Sequence, residues 1–156
     1  MATYSFKSVG EKAESRKFKS QAEQAPLGVM TPLRFSSGKS GLFEMHYNIQ
    51  NQIRDNLKNL LLTNKGERLG NFNFGADLHD LAAEKLSKEE FDLEALFRIK
   101  NAVSTYMPFI ELKEMTSDTK PTGDSSTVIH ALNVKYDVPD IKVLDDVVIV
   151  NIYCVG

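Results

Sequence analysis

Residue types able to carry chemistry are few along this chain and stand far apart. The three histidines, His46, His79 and His130, show no HxxxH or HExxH spacing, so no pair falls on one helix face as zinc ligation requires. Each reads as a packed or surface imidazole. Cys154 sits in an apolar run with no basic neighbour, which keeps a thiol protonated and makes it a core residue, not a nucleophile. A lone cysteine also excludes an intramolecular disulfide and fits a reducing compartment. There is no GxSxG, and Gly66-Glu-Arg-Leu-Gly70 lacks the glycine pattern and the Lys-Ser/Thr pair of a phosphate cradle. Glu67, Asp77 and Asp80 lie close enough in sequence to be nominated as the paired carboxylates of a glycoside hydrolase. No spacing places two of them across a sugar, however, and solvated or ion-paired carboxylates are the plainer reading. The chain therefore predicts no catalytic residue, no cofactor site and no metal site.

Composition is that of an ordinary soluble globular protein. Apolar residues make up 42% and charged residues 26% of the 156 positions, enough for a core that needs neither metal nor disulfide. The formal net charge of −2 gives no electrostatic footprint for nucleic acid or an anionic membrane. Met1–Ser20 is polar, so no secretory leader is predicted, and Val147–Val155, interrupted by Asn151, is too short to span a bilayer as a helix. A soluble intracellular product is expected.

The elements that must position these residues fall in a clear order. Residues 1–25 mix lysines, arginine and glutamates with few large apolar side chains. Such a segment cannot bury itself, and is either an arm ordered by a partner or a terminus without a role. Residues 26–156 then form one domain. Pro26, Gly28, Pro32, Gly38 and Gly41 mark loop and turn, with a small hairpin around Ser36–Gly41. Ile49, Ile53, Leu57, Leu60 and Leu61 make one apolar stripe, predicting a helix over Phe43–Leu62 that Thr63–Gly66 stops. A short helix follows near Asp77–Leu86. Ser87-Lys-Glu-Glu90 is a capping box opening a helix to Tyr106, buried through Phe91, Ala95, Ile99, Ala102, Val103 and Tyr106 and ended by Pro108. Ile110–Met115, Thr127–Tyr136 and Val147–Val155 read as strands, with a loop over Ser117–Ser126 and a turn at Val138-Pro139-Asp140. Helices first and strands afterwards predict an α+β fold, a small mainly antiparallel sheet on two to three helices.

The last strand is unusual. Val147, Val148, Ile149, Val150, Asn151, Ile152, Tyr153, Cys154 and Val155 are apolar on both pleat faces. Either the strand is central with both faces covered, or it is an edge whose open amides and carbonyls another chain completes.

Leu61-Leu-Thr-Asn-Lys-Gly-Glu-Arg-Leu-Gly-Asn-Phe-Asn-Phe-Gly-Ala-Asp-Leu78 resembles the baseplate wedge proteins of contractile phage tails and related injection systems, the "acidic lysozyme" family of sheath initiators. The matching positions are Thr63, Gly66, Glu67 and Arg68, a helix end, followed by Phe74, Gly75 and Leu78. Pro32-Leu-Arg-Phe35 and the Val138-Pro-Asp140 turn also look familial, so the similarity runs from about Leu27 onward. Two features depart from the pattern. Asn71-Phe72-Asn73 carries no proline before Phe-Gly, and Met107-Pro108-Phe109 stands where the family shows Glu-Pro-Arg, a motif associated with docking on the wedge core. Physically, Gly66 suits a sharp helix stop, Arg68 suits a bidentate carboxylate partner, and Phe72 and Phe74 suit the space between helices and sheet. Glu67 and Arg68 serve equally within the chain or between chains. The resemblance implies a structural subunit present in six copies, contacting wedge core proteins, the tail tube or hub and the tail sheath protein, the last through strand pairing at Val147–Val155. Assembly in the host cytoplasm and residence in the virion follow from it. The alternatives are a peptidoglycan-degrading hydrolase and the same structural role in a bacterial secretion sheath or bacteriocin particle.

Overall fold

The computed structural model describes residues 25–36, 41–84, 87–121 and 127–155, and the side chains of 120, 121, 127, 128, 154 and 155 fall outside that description. The expected arm, up to residue 24, lies outside the described residues, as do residues 37–40 of the predicted hairpin and 122–126 of the predicted loop.

The chain divides into two units at Tyr47/Asn48. In the first, β1 (Gly28–Val29) pairs antiparallel with β2 (Met45–His46). The ladder continues through Glu44 N–H to the Arg34 carbonyl at 3.0 Å and the stacked rings of Phe35 and Phe43, 5.8 Å apart. Met45–His46 is therefore strand, and Phe43 bridges to Phe35, where the apolar pattern predicted helix. Four residues of mixed polarity fit either period, and pairing with Gly28–Val29 decides the matter.

The second unit opens with α1 (Ile49–Leu62), which starts where the Asn48 side chain accepts from the Gln50 N–H at 2.9 Å. That cap satisfies one of the donors a helix start leaves open. Ile53, Leu57, Leu60 and Leu61 are buried, while Ile49 stays half exposed at the first turn. After α2 (Leu78–Ala83), Ser87 and Glu90 form the expected capping box, and α3 (Lys88–Tyr106) buries the stripe from Phe91 to Val103.

Three strands follow: β3 (Glu111–Pro121), β4 (Thr127–Val138) and β5 (Val143–Val155), antiparallel in the order β3-β4-β5. All three outrun their sequence-predicted ends. Ser117–Pro121, expected in a loop, continues the ladder because each residue finds a β4 partner, from Ser117↔Leu132 to Pro121↔Val128. Helices cover one face, α1 and α2 over β5 and α3 against β3. Burial alternates accordingly: Leu132, Val134 and Tyr136 of β4 and Val148, Val150 and Ile152 of β5 are inside. Each such side chain contributes about 1.5–3 kcal/mol. A one-residue slip of β5 would bring Asn151 inward in their place.

Candidate functional site

The Thr63–Leu78 motif folds into a loop that is pinned to itself. Thr63 ends α1 in extended backbone, its hydroxyl donating to the Asn59 carbonyl at 2.6 Å. The Thr63 carbonyl in turn accepts from the N–H groups of Ala76 (3.1 Å) and Asp77 (3.4 Å). This return of the chain onto the helix end explains Gly75. A Cβ there would lie 2.2 Å from the Thr63 oxygen, and φ is +126°. Gly66 acts beyond the helix end, past the Thr63 cap: in left-handed backbone at φ +90°, it donates to the Phe72 carbonyl at 2.7 Å. The Glu67 carboxylate accepts from the Asn64 N–H at 2.8 Å, and the Lys65 N–H donates to Asp77 Oδ1 at 3.3 Å.

Arg68 does not meet the carboxylate its type suggested. Its guanidinium lies over the Phe74 ring, 4.4 Å from the centroid, and Phe74 packs edge-on against Tyr106 at 5.0 Å. A delocalised cation on an aromatic face is an alternative to a salt bridge that needs no acidic partner. Phe74 is half-buried against the core, whereas Phe72 is 62% exposed and fills nothing. Leu78 is fully buried.

Glu67, Arg68 and Phe74 line one side of a groove of about 980 Å³ whose other side is Tyr106, Met107 and Phe109. The structure thus brings the motif beside the tripeptide nominated for wedge docking. Met107 itself is buried in the core, while Pro108 and Phe109 are exposed. Leu69, 91% exposed, also lines the groove.

The nominated pairing strand lies at the sheet edge, because β4 separates it from β3. Opposite the buried residues, Val147, Ile149 and Tyr153 are 37%, 55% and 61% exposed, and Asn151 is exposed between them. Cys154 and Val155 belong to the strand by backbone.

Sequence reasoning missed what fixes this strand in place. At the start of the run, the Asp146 carboxylate receives Arg54 of α1 at 2.5 and 3.3 Å, the Tyr136 hydroxyl at 2.8 Å and the Val147 N–H at 2.9 Å. Burial pushes the Asp146 carboxyl up, but these donors outweigh it and hold it below the ordinary carboxylate value. Burial, then the adjacent Asp146, raises the Tyr136 phenol well above its usual range. One residue earlier, Asp145 adopts left-handed backbone at φ 53° and donates its N–H to Asp137 at 2.8 Å. The signal was an acidic pair directly before an apolar run, with Arg54 beside the buried Ile53. Arg98 was missed too. From α3 it donates to the Asp77 carbonyl and to Glu94, both at 2.8 Å, holding the end of the motif loop.

The histidines stay apart. His130 tilts over Phe91 at 4.6 Å, and burial lowers its pKa. Among the described residues no group of three His, Cys, Asp or Glu side chains is placed to hold a metal ion, and no helix is long and apolar enough to cross a membrane.

No protein-family model matches the chain, and no curated protein sequence does. Its fold does match solved structures. A chain of the anti-feeding prophage baseplate, determined by cryo-electron microscopy with sixfold averaging, superposes with a TM-score of 0.57 at 18% identity, over 70% of this chain and 82% of that one. A Geobacter sulfurreducens protein provisionally assigned as a tail lysozyme superposes with a TM-score of 0.51 at 18% identity, over 69% of this chain and 91% of that one. The α+β architecture built here is the fold of both.

Proposed function

We propose that the chain is a structural subunit of a contractile-tail baseplate, present in six copies, which docks on wedge core and tube or hub proteins and starts the sheath through β5. The observation that carries this reading is the contrast between the two edges of the sheet. Along β3, Glu111, Lys113, Glu114 and Asp118 are exposed, and charge of this kind blunts an edge against strand addition. Along β5 no charged residue occurs from Val147 to Val155, and Val147, Ile149 and Tyr153 face outward. An incoming sheath strand would find open backbone groups beside an apolar outer row, the arrangement that strand addition uses. In this reading the groove between the motif loop and Phe109 takes the wedge core, and residues 1–25 run along a neighbouring subunit. The chain resides in the virion, is assembled in the host cytoplasm, needs no cofactor, nucleic acid or membrane, and catalyses nothing. The fold shared with the anti-feeding prophage baseplate supports the baseplate assignment, and equally suits a bacteriocin-like or secretion particle.

Co-expression with sheath and wedge proteins, followed by electron microscopy, tests it. Deleting Val147–Val155 would also strip Val148, Val150 and Ile152 from the core, so substitutions confined to the outer face are the cleaner probe. Ile149→Lys with Tyr153→Lys is expected to leave a folded subunit that enters baseplates bearing no sheath. Sheath growth at the wild-type level would refute the role of β5. Deleting residues 1–20 is expected to reduce incorporation while the remaining domain stays folded.

The likeness to the Geobacter protein favours one second reading, hydrolysis of peptidoglycan. Against it, the Glu67 and Asp77 carboxylates each accept from one of the loop's own N–H groups, a structural use of both. Clearing of a cell-wall suspension by the purified protein, lost in Glu67→Gln, would establish the enzyme.

A further inference from the structure

Helix α3 carries two apolar faces. One closes the core through Phe91, Ala95, Ile99, Ala102 and Val103. On the other, Leu93, Leu96 and Phe97 are 71%, 42% and 60% exposed, a cluster that a merely solvated face does not require. With about 100° between successive residues, Glu89, Leu93, Leu96 and Lys100 fall in one stripe, with Phe97 alongside. Charge on that stripe is sorted by position, acidic at the N-terminal end and basic at the C-terminal end. Glu90 is held by Ser87 in the capping box, which leaves Glu89 as the outward acid.

We propose that this face of α3 binds a second copy of the chain, helix against antiparallel helix. A twofold contact uses one patch twice, so the patch must be its own complement. An antiparallel crossing centred between Glu94 and Ala95 sets Leu93 against Leu96 of the second copy. The same symmetry sets Glu89 against Lys100 of the second copy, because both lie about 8 Å from the centre along the axis. Parallel pairing would instead bring Glu89 against Glu89 and Lys100 against Lys100. The antiparallel arrangement also opposes the two helix dipoles. A partner chosen for apolarity alone would not call for acid and base at equal distances from the apolar centre. With three exposed apolar side chains per copy, the contact is smaller than the roughly 800 Å² per partner of a stable complex, and dissociation is expected on the order of 100 µM. This inference is independent of the sheet edge and of any role in a tail.

Sedimentation equilibrium of the full chain, over concentrations that bracket dissociation, tests it. The wild type is expected to show a reversible monomer–dimer equilibrium. Leu93→Asp with Phe97→Asp abolishes it, while circular dichroism stays unchanged because both positions are exposed. Glu89→Lys and Lys100→Glu each weaken the dimer about tenfold, and the two together restore it to within about twofold. A monomer at every concentration overturns the proposal, as does a double swap no tighter than the single changes. A dimer indifferent to Leu93→Asp with Phe97→Asp but lost in Ile149→Lys would place the contact on β5 and overturn it as well.

Discussion

At the scale of single residues, the motif's two glycines do different work, and the difference is measurable. Gly75 is closed against the Thr63 carbonyl, whereas a Cβ at Gly66 meets nothing within 4 Å. Gly75→Ala is therefore expected to cost at least about 3 kcal/mol, and Gly66→Ala only about 1 kcal/mol for its left-handed backbone. Urea unfolding of the two variants checks this, and equal midpoints would contradict it. Asp146 supplies a pH signature. Its pKa is lowered on folding, so its contribution is complete above the ordinary carboxylate pKa of about 4 and is lost as pH falls through the folded-state value. The stability gap between wild type and Asp146→Asn should accordingly close with acidification, and a constant gap in pH-dependent denaturation would argue against the clamp. Tyr136→Phe, which keeps the ring and removes one donor, is expected to cost about 1 kcal/mol. Of these residues, the sequence showed the glycines through their motif. It could not show that Arg68 chooses a ring over a carboxylate, because that depends on Phe74 being brought within 4.4 Å by the loop's return.

Elements were legible in proportion to how far local signals sufficed. α3 was read closely because its capping box and 3.6-residue stripe agree, and each settles a different end. The start of α1 was overextended because Phe43–His46 has no internal preference that outweighs pairing with a strand some fifteen residues upstream, at Gly28–Val29. β3 was cut short for the opposite reason: Ser117–Lys120 is polar, yet the register with β4 carries it. For β5, apolarity on both faces left its position in the sheet open, and only the topology makes it an edge. Outer-face changes should therefore be nearly silent in isolation. Ile149→Lys is expected to alter stability by no more than about 0.5 kcal/mol, while Val150→Ala, at the next residue but on the buried face, should cost about 2 kcal/mol. Thermal or urea unfolding distinguishes them, and comparable losses would mean that the outer face is covered.

For the whole molecule, helices occupy one face of the sheet and leave the other open among the described residues. Any chain that adds to β5 binds only the folded form, so by mass action it also raises the apparent stability of the subunit. Under the proposed pairing, the melting temperature is expected to rise with the concentration of a sheath-derived peptide, and an unchanged melt at saturating peptide would argue against pairing at Val147–Val155. The groove itself is partly legible in the sequence, since the Thr63–Leu78 motif and the Met107–Phe109 tripeptide each stand out. Their meeting in one groove is not, because it requires α1 and α3 to end at the same place.

The position of the Arg54–Asp146–Tyr136 clamp has a mechanical corollary. It secures β5 at Asp146, where the regular run of rungs to β4 begins at Tyr136↔Asp146 and continues to Val155. A pull perpendicular to the sheet at Val155 would peel rungs singly, from Val155 toward Val147, and stall at the ionic anchor. A pull along the strand axis would strain all rungs at once. A lengthwise pull thus meets the stiff direction of the strand, and single-molecule extension with the two pulling geometries should record a higher rupture force for the lengthwise one.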